Sequence, residues 1–106
     1  MRKDKNIYVV ELDDSVRRNR KFLSLNPDNN LDLPCLYVGR TGHSPEKRFS
    51  NHKSGYKASR IVKKYGIRLV PELYSHLNPM TFNESEKMEI ELARKLRSQG
   101  FAVWQK

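Results

Sequence analysis

An α+β domain built on a small, mostly antiparallel sheet is what this sequence predicts, and three features predict it. Two β-rich runs lie near the N-terminus, a proline-initiated helix start follows the second, and a long amphipathic stretch leads to Gly100. At 106 residues the chain makes a single domain, 1–106, large enough for a modest core without staples.

The elements follow in order. Residues 6–12 are rich in β-formers and free of turn formers, which predicts a strand. Residues 13–34 are polar and irregular and read as an insertion; Asp13-Asp14-Ser15 offers a cap for a short helix through Leu25, and Asn26-Pro27-Asp28-Asn29-Asn30 reads as a loop. Residues 35–39 form a second strand, the antiparallel neighbour of the first, and Gly39 ends it in a tight turn toward Thr41 and Gly42. Ser44-Pro45-Glu46 supplies a cap, a proline at the first helical position and an acid at the positive end, so a helix runs from there to about Lys53. Ala58, Ile61, Val62 and Tyr65 give the next helix its apolar stripe, and Gly66 closes it. Ile67 to Tyr74 reads as a third strand, with Pro71 marking an edge or bulge. Thr81-Phe82-Asn83-Glu84 is a capping box for a last helix to about Ser98. The predicted order is β-β-α-α-β-α, with three strands; Trp104 packs the final segment against the sheet.

Composition narrows the function. The chain is 37% hydrophobic and 31% charged, with apolar runs recurring throughout, as a folded domain requires. No run approaches the ~20 apolar residues of a membrane span. No apolar signal core follows the charged N-terminus, so the cytosol is the expected compartment, and no membrane partner is expected. The single cysteine, Cys35, has no disulfide partner and sits in an apolar run, where a buried, inert thiol is expected. The net charge of +9 is concentrated: residues 40–68 hold nine Lys/Arg against Glu46 alone. Such a patch attracts polyanions, nucleic acid being the common one; the competing reading is a solvated basic face.

Candidate chemistry gathers on four elements. On the last helix, at ~100° per residue, Glu89 falls within the apolar arc of Ser85, Leu92 and Leu96, whereas Glu84, Glu86 and Glu91 fall outside it. A carboxylate on a buried stripe calls for a cation. That cation is either a divalent metal, since magnesium is held by one or two carboxylates plus waters and phosphate, or a basic side chain in a structural pair. Arg48 and His52, four apart, share a helix face; a guanidinium fork matches phosphate, and an imidazole moves or donates a proton. Tyr8 and Tyr37 sit on the two strands, either as core aromatics or as phenols facing that arginine and glutamate. A phenol near pKa 10 serves as a base only if cations such as Arg40 and Arg48 lower that value. His43 and His76 stand alone in loops and carry little signal.

These residues resemble the GIY-YIG nuclease family over nearly the whole chain except residues 13–34. Asn6-Ile7-Tyr8 stands for the first signature strand, with asparagine in place of glycine. Tyr37-Val38-Gly39 followed by Thr41 stands for the second, Arg48 and His52 for the helical pair, and Glu89 for the metal-binding glutamate, with Ser85 one turn before it. The family's tyrosine strands are usually joined by a short turn, and this chain inserts 13–34 there. Many members also carry a late asparagine, for which Gln105 is the nearest candidate and is assigned no role.

The resemblance implies a divalent-metal-dependent endonuclease of low intrinsic sequence specificity. It would hydrolyse phosphodiesters in nucleic acid, DNA in preference to RNA, with Mg2+ or Mn2+ held by Glu89. Tyr8, Tyr37, Arg48, His52 and Glu89 form the catalytic set. Arg40, Lys53, Lys57, Arg60, Lys63 and Lys64 would hold the backbone, with specificity from the insertion, a homodimer or a partner protein. The alternative is a binding module on the same fold that does not cut.

Overall fold

The computed structural model describes residues 2–105. The α+β class holds, and the sheet is the point of difference: it has four strands, β1 (Asn6–Leu12), β2 (Cys35–Thr41), β3 (Gly66–Leu69) and β4 (Ala102–Gln105), in the order β3-β1-β2-β4. β1 pairs antiparallel with β2, as expected, and on its other edge with β3, while β4 pairs parallel with β2, from Cys35↔Ala102 to Val38↔Gln105. The segment around Trp104 is therefore part of the sheet, and the element order gains a final strand.

The helices form where local signals put them. α1 (Arg20–Ser24) lies in the insertion, α2 (Pro45–Ser54) and α3 (Arg60–Tyr65) link β2 to β3, and α4 (Phe82–Ser98) precedes β4. Ser44 caps α2 by accepting from the Lys47 amide, and Gly55 ends it in the left-handed region (φ 90°). Thr81 and Glu84 complete the reciprocal capping box of α4. The single helix expected through Leu25 is instead a 3-10 turn over Asp14–Arg18, then α1, because Asn19 recaps the chain by accepting from the Phe22 amide.

The expected strand Ile67–Tyr74 is shorter. Val70 makes a last ladder bond to the Val9 carbonyl (2.9 Å), and Pro71, which has no N–H to give, opens a 3-10 turn over Pro71–Leu73. Beyond β3, the Asn78 side chain takes over the edge of β1, accepting from the Ile7 amide (2.8 Å) and donating to its carbonyl (2.7 Å).

Gly39 also needs correction. β2 runs straight through it to Thr41, so no turn explains the glycine. Its cross-strand partner is Tyr8, and a Cβ there would lie 2.7 Å from that ring. The missing side chain is what lets the Tyr8 ring lie across β2.

Alternation then sorts the side chains. Tyr8, Tyr37 and Gly39 share the sheet face met by α2, while Arg40 points to the face crossed by α4. The core joins both faces, with Ile7, Val9, Val38, Leu92 and Leu96 among its members.

Candidate active site

Two side chains one turn apart on α2 organise the site. The Nδ1 of His52 accepts from the Ser59 amide (2.9 Å), and Arg48 Nη2 donates to the Lys57 carbonyl (3.0 Å). Both fasten the loop between α2 and α3, where Lys57 takes a left-handed backbone (φ 47°). The Ser59 bond fixes the imidazole: with Nδ1 accepting, the ring proton sits on Nε2. That nitrogen lies 2.8 Å from the Tyr8 hydroxyl and donates to it. His52 is fully buried, so the pair is shielded from water.

The second tyrosine completes the cluster. The ring centroid of Tyr37 is 6.0 Å from that of Tyr8 and 5.9 Å from that of His52. Burial raises the pKa of both phenols; the Arg48 charge pulls the other way on each and is the smaller effect. Tyr37 is also lowered by interactions with the Tyr8 and Ser59 hydroxyls and raised by the charge of Glu89. The lowering by cations that a catalytic base would need is thus opposed by desolvation.

Glu89 lies on the other side of β2 and is 7% exposed. Its Oε2 is 3.9 Å from Arg40 Nε, and its Oε1 lies 3.4 Å from the Gln105 amide nitrogen. Arg40 is anchored along α4, with Nη2 3.9 Å from Glu86, Nη1 3.5 Å from the Ser85 hydroxyl, and its guanidinium 4.6 Å from the Phe82 ring centroid. The structural-pair reading of Glu89 therefore has a geometric basis. Among the described residues no group of three acidic, histidine or cysteine side chains could enclose a metal ion. One carboxylate suits the open magnesium site that leaves most positions to water and phosphate.

Three clefts meet at Arg48. One of about 350 Å³ is lined by Lys5, Arg40, Thr41, Gly42, His43, Lys57 and Phe82 as well. A second, of about 370 Å³, reaches Tyr37, Ser59 and Trp104; a third adds Lys47, Asn51 and Tyr56. None of the three is lined by an acid.

No family model, curated protein or solved structure matches this chain.

The structure thus brings Tyr8, Tyr37, Arg48 and His52 together and sets Glu89 behind Arg40. The expected backbone-binding set divides. Arg40 and Lys57 line the cleft. Lys53 donates instead to the carbonyls of Lys63 (3.1 Å) and Gly66 (2.9 Å), across the end of α3. Lys64 lies 5.2 Å from the Tyr65 ring centroid, the Lys63 ammonium packs near Gly55, and Arg60 is exposed. Lys5, His43 and Ser59 join the site without a sequence signal of their own. Gln105, assigned no role from the sequence, lies beside Glu89 because β4 pairs it with Val38.

Proposed function

We propose that this chain is a small GIY-YIG-type nuclease that hydrolyses phosphodiester bonds in nucleic acid, with DNA as the favoured substrate. The observation that carries this reading is the meeting of Tyr8, Tyr37 and His52 from separate elements beside Arg48, at the junction of acid-free clefts.

The basic clefts draw in the phosphate backbone, and the Arg48 fork holds a non-bridging oxygen as negative charge grows on the phosphorus oxygens. Tyr37 lines a cleft while Tyr8 lies behind it; after its own proton has passed to solvent through that cleft, the Tyr37 phenolate takes the proton from the attacking water. The P–O bond to the leaving 3′ oxygen then breaks, and that oxygen takes a proton from solvent. Donors converge on that phenolate before the attack: His52 holds Tyr8, and Tyr8 and Ser59 stabilise the anion on Tyr37. Glu89 would hold the Mg2+ or Mn2+, after Arg40 gives way. Such an ion, when bound, neutralises the scissile phosphate and the leaving oxygen.

The test is nicking of plasmid DNA by the purified chain in magnesium, repeated in EDTA. Cutting is expected to stop in EDTA and in Glu89→Gln, and to fall on the order of 100-fold in Arg48→Ala. Full cutting by Glu89→Gln would refute the metal site.

The binding-module alternative has its own support in the 3.9 Å approach of Arg40 to Glu89 and in the upward push of burial on both phenols. It predicts retention of DNA in a gel with no nicking under any metal condition.

A further inference from the structure

Most large apolar side chains exposed among the described residues are aliphatic; two are aromatic, Tyr56 at 60% exposed and Phe82 at 50%. Both line the basic groove. Phe82 belongs to the cleft of Arg40, Tyr56 to the cleft of Lys47, and the two clefts share His43, Arg48 and Lys57. Each ring also has a cation beside it. The Arg40 guanidinium lies 4.6 Å from the Phe82 centroid, and the Lys57 ammonium 5.6 Å from that of Tyr56.

A single exposed phenylalanine at a helix start would be ordinary. Here the exposed aromatics coincide with the phosphate-attracting groove, and the exposed leucines and isoleucines line none of its clefts. Rings interleaved with cations are what an unpaired strand requires, because its phosphates meet the cations while its bases find flat partners. A duplex has its base faces covered by their neighbours and gains nothing from such rings.

We propose that the groove binds single-stranded or locally unpaired nucleic acid, with Phe82 and Tyr56 as stacking platforms for bases on either side of the phosphate held by Arg48. This rests on the nucleic-acid reading above and narrows its substrate to unpaired strands.

The experiment measures fluorescence anisotropy of a labelled oligonucleotide, as DNA and as RNA, against its own duplex. It is run in EDTA so that binding is read without cutting. The single strand is expected to bind more tightly than its duplex. The ratio of the two affinities is expected to fall on the order of tenfold in Phe82→Ala and in Tyr56→Ala, and to be retained in Phe82→Trp, which keeps a flat ring. The sugar bound more tightly identifies the natural strand. Equal affinity for strand and duplex, a ratio unmoved by the alanine variants, or no binding at all would overturn the proposal. Cleavage in magnesium is scored separately. A single-strand preference without cutting supports this inference and defeats hydrolysis, whereas duplex cutting with an unmoved ratio does the reverse.

Discussion

A methyl group added at Gly39 would stand 2.7 Å from both Cζ and Oη of Tyr8 and 3.0 Å from the Tyr37 ring. The Tyr8 ring has little freedom to retreat, since its hydroxyl is held by His52 at 2.8 Å and the residue is fully buried. Gly39→Ala is therefore expected to cost about 1–3 kcal/mol, the range for overpacking a filled core, read as a lower urea midpoint. It should also cut the proposed nicking as deeply as Tyr8→Phe does, because both disturb the same hydroxyl. A midpoint and a nicking rate equal to wild type would show that the strands can part without disturbing the tyrosine. This glycine also marks where reading the chain residue by residue stops working. Its neighbours in sequence suggest a turn, and only the cross-strand register, Tyr8 against Gly39, reveals the ring lying over it.

The elements that could be read from the chain are those whose signals are local. Ser44 with Pro45, and Thr81 with Glu84, announce α2 and α4 because a cap and the amide it satisfies lie within one turn. β4 has no such announcement: it is four residues long, and its partners in β2 lie more than sixty positions away. Its ladder with β2 makes it a strand, and the insertion bonds its other edge. Asn26, nearly buried, donates to the carbonyls of Phe22 (2.8 Å) and Val103 (3.1 Å) and accepts from the Val103 amide (2.8 Å) and Arg97 Nε (3.2 Å). Phe22 stacks on Trp104 with the ring planes 1° apart. The insertion thus closes the outer edge of β4, which would otherwise present open backbone groups. Asn26→Leu leaves the Val103 amide without its acceptor, while the Val103 carbonyl keeps Arg97 Nη2 (2.9 Å), and is expected to cost about 1–3 kcal/mol. Hydrogen exchange should show the Val103 amide opening far faster than amides in the β1–β2 ladder. Equal protection at Val103 in the variant and the wild type would mean that the insertion merely covers the sheet.

Across the whole molecule, the candidate site was legible as a set of residues but not as an arrangement. Glu89 was visible as an acid on an apolar stripe, yet the partner that stripe demanded, Arg40, comes from β2 and reaches it only because alternation turns Arg40 toward α4. The same burial that gathers the phenols ties the stability of the fold to alkaline pH. Burial pushes the Cys35 thiol up to about 11 from an ordinary 9.0, and the Tyr74 hydroxyl up to about 12 from 10.0; Tyr8 is pushed higher still. In each case the folded chain keeps a proton that the unfolded chain has already released, so stability falls as pH rises through the interval between the two values. The contribution of Cys35 is fully present below pH 9.0 and is lost as the pH climbs to about 11, a change of about 3 kcal/mol for this group. Tyr74 extends the decline from 10.0 toward about 12. Urea unfolding at stepped pH should show a plateau that bends downward near the ordinary thiol value. In Cys35→Ala the bend should move upward to the tyrosine interval, because no thiol then remains to titrate. A curve that bends at the same pH in both proteins would show that Cys35 ionises as easily in the fold as outside it, and that the core around β2 admits water.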